Sequence, residues 1–254
     1  MPRLRVDAVL LDLDGTVIDD TASYREAIRR TAEWSLSASV SRDEVDEVKR
    51  RPGFNNDVDT VWGVIGRRMH AHIRPPDAVD RGSYTYRRLQ GAFETYYLGD
   101  RLWQQISGLE PPFSWSEPLM AQESLLVTHQ VLAQLSRFVL GIVTSRPRVE
   151  ALMALHDHNL DRYVKPDAVV TVDDVPEEKP HPAPVLALVE RLGARHPVLV
   201  GDTINDALAA LAAGVPFIHV GAEPLLDDEA ERWVTQRIQA IDELIDLLES
   251  VDAV

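Results

Sequence analysis

The sequence predicts an α/β protein: a doubly wound parallel sheet of the Rossmann-like type, split after its first strand by an all-helical insert. Three observations predict it. Residues 6–11 are a short β-branched and leucine run that ends in acids and a glycine, as a buried strand feeding a turn does. Residues 17–110 then carry helical spacing and no strand pattern. From 119 onward strands alternate with helices, which implies a parallel sheet covered on both faces. Residues 1–16 and 119–254 are expected to form the core, and 17–118 the insert.

Each element has its own signal. A helix over 21–36 opens at Asp19, Asp20 or Thr21. Ser41 and Glu44 form a capping box, so the next helix starts at Arg42 and stops before Pro52 and Gly53. Two further helical stretches cover 58–73 and 79–98. The Pro-, Gly- and Ser-rich segment ISGLEPPFSWSEP reads as a linker. Then follow helix 119–136, strand 138–143, helix 147–158, strand 168–172 and helix 183–193. Strand 197–201, helix 205–213, strand 216–220 and closing helices to 249 complete the pattern. There is no internal repeat or low-complexity tract.

Composition narrows the function. The chain has 254 residues, 45% of them hydrophobic, and a formal charge of -15, the composition of an ordinary globular protein. The absence of a long basic run argues against a nucleic-acid partner. An anionic substrate would meet overall repulsion, so its site needs local cations or a metal. Only Lys49, Lys165 and Lys179 of the 26 basic residues are lysine, which fits either salt adaptation or a GC-rich genome. The lack of cysteine excludes disulfides, thiolate metal sites and a cysteine nucleophile. The apolar run Ala8–Leu11 is too short for a signal peptide or a membrane span, so a cytoplasmic protein with no membrane partner is expected.

Four strand ends carry polar clusters: Asp12-Leu-Asp14-Gly-Thr16, Thr144-Ser145-Arg146, Glu178-Lys179-Pro180 and Gly201-Asp202-Thr-Ile-Asn205-Asp206. In a parallel sheet these ends share one edge, where open α/β proteins bind ligands. Packed carboxylates repel and need a hard dication such as Mg²⁺, which takes oxygen ligands and substrate phosphate. Lys179 can help to neutralise a phosphoryl group, and Thr144 and the amides of the first turn can donate to it. One ionised carboxylate can attack phosphorus; a second, two residues on, can protonate the leaving alcohol and later activate water. Singly, these are a turn, a helix cap and a surface lysine. Four in order at strand ends are a constellation.

DLDGT, TSR, EKP and GDTIND, in that order, resemble the four motifs of the haloacid dehalogenase-like hydrolase superfamily, over nearly the whole chain. The insert resembles the C1 cap of its subfamily I, the phosphoglycolate-phosphatase and phosphoglucomutase branch. The resemblance implies a cap that opens and closes, and Mg²⁺-dependent hydrolysis of a small phosphorylated metabolite through an aspartyl-phosphate. By position it implies Asp12 as nucleophile and metal ligand. It implies Asp14 as general acid/base with its carbonyl on Mg²⁺, and Thr144 and Ser145 as phosphate binders. Lys179 would bridge Asp12 and the phosphate, Asp202 would ligate Mg²⁺, and Asp206 would support the metal.

Asp14 points to phosphate esters, because dehalogenating and phosphonate-cleaving relatives lack an acid there. Sugar-phosphate mutases, the alternative, typically carry a histidine early in the cap; here that neighbourhood reads IDDTASYREAI. Receiver signalling modules share an acidic pair, a Thr/Ser and a Lys-Pro, but have no acidic motif after the lysine; a non-catalytic phosphate-binding module is the remaining alternative. In the insert, RPGFNNDVDTVW (51–62) resembles a GFNND-acid segment of a branch of C1-capped phosphatases. Its Asn55, Asp57 and Asp59 have calcium-loop spacing, but Thr60 and Gly66 stand where Gly and Glu should. It reads instead as a helix start, with Asn55 or Asn56 as cap. Arg51, Asn55 and Asn56 are candidate substrate-specificity residues. His70, His72, His156, His158 and His181 show no metal-ligand spacing. Trp103, Phe113 and Trp115 are expected to pack the insert.

Overall fold

The computed structural model describes residues 6–51, 53–54, 56–70 and 80–252. The chain forms two compact units, one of residues 1–19 with 124–254 and one of residues 20–123. The first is built on a six-stranded, all-parallel sheet. Its strands are β1 (Ala8–Leu11), β4 (Val139–Val143), β5 (Val169–Val170), β6 (Pro197–Gly201), β7 (Phe217–Val220) and β8 (Val234–Ile238), in the order β5-β4-β1-β6-β7-β8. Central β1 is flanked on both sides: Leu10 lies opposite Gly141 of β4 and Leu199 of β6.

The two-residue period of β1 fills two layers. Val9 and Leu11 join one buried cluster with Leu132, Leu155 and Leu244; Ala8 and Leu10 join the other with Val185, Leu188 and Ala207. Those partners lie on α6 (His129–Leu135), α7 (Arg148–Asp157) and α11 (Leu244–Asp252) for the first layer, and on α8 (Ala183–Leu192) and α9 (Ile204–Ala213) for the second. Each fully buried leucine or valine contributes about 1.5–3 kcal/mol relative to exposure.

The second unit is helical: α1 (Tyr24–Leu36), α2 (Arg42–Lys49), α3 (Asp57–His70), α4 (Tyr84–Leu98) and α5 (Asp100–Ser107). Its core includes Tyr24, Ile28, Phe54, Val61, Phe93 and Tyr97. The expected capping box starts α2: the Glu44 amide donates to Ser41 Oγ, and the Ser41 amide to the Glu44 carboxylate.

Four expectations are corrected. Ile18–Asp19 forms a short strand, β2, antiparallel to β3 (Ser124–Leu125), where the 17–110 region was expected to hold none. The expected helix 119–136 is a 3₁₀ turn, then β3, then α6, which Thr128 caps. Two-residue ladders leave no period to read. Helix α5 occupies part of the expected linker; Gly99, at φ +83, ends α4 and begins α5 at once, so it reads in sequence only as a stop. The closing stretch expected to be helical contains β8, which follows directly on α10 (Asp228–Trp233). VTQRI is an edge strand with two exposed residues, and pairing with β7 overrides its weak local preference.

Candidate active site

The strand order brings the four polar clusters together at the carboxyl edge of the sheet. Asp12 follows β1, and its amide continues the ladder by donating to Val200 C=O at 2.9 Å. The chain then turns tightly, with Val17 and Ile18 amides both donating to Leu13 C=O. Gly15 sits at φ +71, and a Cβ there would lie 2.2 Å from Asp202 Oδ2. Only glycine satisfies both the backbone and the close approach of Asp202. Thr16 donates its hydroxyl to Asp202 Oδ1 at 3.3 Å.

Lys179 stands in the middle. Its ammonium, 3% exposed, lies 2.8 Å from Asp12 Oδ1 and 2.6 Å from Asp206 Oδ1, and also reaches Val143 C=O. Asp206 is fixed by a capping box at the start of α9: its Oδ2 accepts from the Thr203 amide and hydroxyl, and its amide donates to Thr203 Oγ1. Gly201 lets it in, since a Cβ there would come within 2.7 Å of the Asp206 side chain. Burial first, then the Asp206 charge, push the Asp12 carboxyl up to about 7 against the pull of Lys179. Burial would lower Lys179, but Asp12 and Asp206 overcome it and hold the ammonium above its ordinary range. Lys179 is therefore charged, and Asp12 is held in contact with it.

Asp12, Asp202 and Asp206 each offer an oxygen, all within 4.8 Å of one another, so this triad is able to hold a metal ion. Oxygen-only donors suit a hard dication. Asp14 is outside this triad. Its carboxylate accepts from Arg146, whose Nε is 3.0 Å from both oxygens and whose Nη2 is 2.5 Å from Oδ1. Thr144, buried at the end of β4, accepts the Arg146 amide on Oγ1 at 3.1 Å, which leaves its own hydroxyl hydrogen to donate. Ser145 is half-buried in the same turn. Two enclosed cations thus meet the carboxylates at this edge, Lys179 on Asp12 and Asp206 and Arg146 on Asp14.

The structure places the sequence-predicted core residues Asp12, Asp14, Thr144, Ser145, Lys179, Asp202 and Asp206 at this edge. In the helical unit, Asn56 caps α3: its Oδ1 accepts from the Val58 and Asp59 amides and from the Tyr86 hydroxyl. Asp57 pairs with Lys49 at 2.6 Å, and buried Asp59 with Arg81 and Tyr86. Residues 56–62 are a helix start, as expected. Arg51 is exposed, 3.6 Å from Glu47. Asn55 lies outside the described residues, as does His72.

The profile of the haloacid dehalogenase-like hydrolase family matches residues 6–214, a span that includes all four strand-end clusters. The chain belongs to the haloacid dehalogenase-like hydrolases. It is 35% identical over 216 residues to pyrophosphatase PpaX of Bacillus pumilus, covering 84% of this chain and 82% of that one. It is 40% identical over 219 residues to phosphoglycolate phosphatase of Photorhabdus laumondii, covering 84% and 79%. It is also 28% identical to imidazoleglycerol-phosphate dehydratase of Phytophthora nicotianae, covering 82% of this chain but only 42% of that longer protein. In fold it is similar to a subfamily IA hydrolase of the same superfamily from Geobacter sulfurreducens, with a TM-score of 0.60, 23% identity and 96% of each chain covered. A family hydrolase from Deinococcus radiodurans, solved with bound phosphate and sodium, gives 0.63, 17%, and 97% and 96%.

Two residues of this haloacid dehalogenase-like hydrolase escape sequence reasoning. Arg146 was visible only as the third letter of a motif. His219, buried in β7, contacts the Asp202 carbonyl through Nε2 at 3.1 Å, while its Nδ1 meets Arg237. Arginine only donates, so Nδ1 is the acceptor and Nε2–H donates to Asp202. Burial, then the Arg237 charge, hold His219 below its ordinary range and keep it neutral. Arg237 is in turn paired with Glu231 through two contacts of 2.6 and 2.8 Å. A histidine inside an apolar strand was the one available signal. Among the described residues, no helix is long and apolar enough to cross a membrane.

Proposed function

We propose that this chain is a Mg²⁺-dependent phosphatase that hydrolyses a small phosphorylated metabolite through a phospho-Asp12 intermediate. The observation that carries the reading is the buried ammonium of Lys179 shared between Asp12 and Asp206, with Asp202 alongside. Asp12 attacks phosphorus, and the bond from phosphorus to the leaving oxygen breaks. Asp14 supplies the proton that oxygen takes. Water then attacks the aspartyl-phosphate, Asp14 receives its proton, and inorganic phosphate leaves with Asp12 restored.

Lys179 orients Asp12 and neutralises phosphate charge, and Thr144 and Ser145 donate to the phosphate oxygens. The residues that would hold Mg²⁺ are Asp12, Asp202 and the Asp14 carbonyl; the ion would supply charge neutralisation and orientation. Asp206 has one oxygen on Lys179 and the other on Thr203, which suits a supporting role. The relatives named pyrophosphatase and phosphoglycolate phosphatase both act on small phosphorylated compounds, which supports the same class here. Arg51, Asn55 and Asn56 enter the proposal only as determinants of substrate preference.

A screen of phosphorylated metabolites for phosphate release tests the reading. Activity on at least one should disappear in Asp12→Asn and in excess EDTA. Undiminished activity in Asp12→Asn refutes the mechanism, and undiminished activity in EDTA refutes the metal. A sugar-phosphate mutase would yield an isomeric phosphate instead. In that position Tyr24 lies in the helical core and Arg25 pairs with Asp46.

A further inference from the structure

We infer that Arg146 is a positioning residue for Asp14, holding its carboxylate in the orientation from which it exchanges a proton with the leaving oxygen. The inference rests on the phosphatase reading and deepens it. Arg146 is enclosed, with a side chain 1% exposed, whereas the Asp14 side chain is 25% exposed. The cation approaches from inside and the acid keeps an open side. Three contacts set the geometry: Nε at 3.0 Å from each carboxylate oxygen and Nη2 at 2.5 Å from Oδ1. A planar guanidinium that meets a carboxylate through two nitrogens fixes its plane, which a lysine ammonium does not do.

Arg146 is itself held by its backbone. Its amide donates to Thr144 Oγ1 at 3.1 Å, and its carbonyl accepts from the Val172 amide at 3.4 Å. One residue thus ties the proposed phosphate donor Thr144, at the end of β4, to the proposed acid/base Asp14, beyond the end of neighbouring β1. A merely structural tie between two turns would serve equally well with the acid enclosed. Here the acid is the exposed member, and its side away from the guanidinium is where a reacting group can approach. Orientation of this kind contributes to rate because a small misplacement of a proton donor is costly.

The test compares p-nitrophenyl phosphate, whose leaving group departs without a proton, with n-butyl phosphate, whose leaving group needs one. kcat/KM reports the steps up to leaving-group loss. Arg146→Met should lower kcat/KM on n-butyl phosphate about 10-fold more than on p-nitrophenyl phosphate, and Arg146→Lys should show the same bias. In an Asp14→Asn background, Arg146→Lys should add less than about 2-fold, since a positioning residue has nothing left to position. Equal losses on the two substrates, or full additivity with Asp14→Asn, overturn the inference. Arg146→Lys keeps the enclosed charge, so it decides the matter if Arg146→Met fails to fold. Failure of the parent reading looks different: Asp12→Asn would keep wild-type rates on both substrates, and this inference would fall with it.

Discussion

Replacing Lys179 by methionine isolates the charge at the centre of the site. The side chain keeps its length and loses its ammonium, so Asp12 and Asp206 are left buried with no shared cation; they are now 2.8 and 2.6 Å from it. Breaking a buried ion pair by removing one partner costs about 3–5 kcal/mol. At this chain length each kcal/mol lowers Tm by about 2–4 °C, so a fall of about 6–20 °C is expected in EDTA at neutral pH. The pH dependence follows from Asp12. Its folded-state carboxyl is raised from 3.8 to about 7, chiefly by burial, so ionising it lowers stability as pH climbs through that window. Without Lys179 the carboxyl rises further, and the penalty continues past the point where the wild type levels off. The Tm gap should therefore widen from pH 7 to pH 9. Thermal melts in EDTA across that range measure it, alongside turnover of p-nitrophenyl phosphate, expected to drop about 10²–10³-fold. A melting point within 2 °C of wild type at every pH, a margin of about 1 kcal/mol or less, would refute the reasoning.

Three further outcomes test other parts of the site and fold. Gly15→Ala places a Cβ 2.2 Å from Asp202 Oδ2 at φ +71, so Asp202 must shift; the Mg²⁺ concentration for half-maximal activity should rise, and an unchanged Mg²⁺ titration would contradict it. His219→Leu removes the donor to the Asp202 carbonyl; about a 10-fold weaker Mg²⁺ activation is expected, read from the same titration. Glu44 is held down to about 2 from 4.5, mainly by the Arg68 guanidinium, so it contributes stability above pH 4.5 that is lost as pH falls toward 2. Glu44→Gln should flatten the decline of Tm with acid across that window, and an identical acid profile would show that the Arg68 contact contributes nothing.

The sequence was most legible where local chemistry and global fold agree. Val6 to Leu11 reads as a buried strand, and β1 takes Ala8–Leu11 of it, with Asp12 and Asp14 just beyond its end. The Ser41–Glu44 box named the first turn of α2, because a cap is a short-range device. The site was legible as four strand ends, since parallel topology brings such ends to one edge. What stayed hidden was decided by partners distant in sequence. β8 exists because β7 offers it a ladder, and β2 and β3 are two residues each, paired over more than a hundred positions. The fork from Arg146 to Asp14 spans 132 positions, and the contact from His219 to the Asp202 carbonyl needs two strands in register. Nor could spacing show that Lys179 faces Asp206 as closely as Asp12; that follows from the capping box of α9.

The covalent state of Asp12 during turnover is the most direct measurement. The protein would be mixed with Mg²⁺ and a substrate from the metabolite screen, quenched in acid within milliseconds, digested and analysed by mass spectrometry. The peptide holding Asp12 should carry the mass of one phosphoryl group, in an amount that rises and decays with turnover, and Asp12→Asn should carry none. Turnover with the label on another residue, or with no labelled peptide at any time point, would contradict a phospho-Asp12 intermediate.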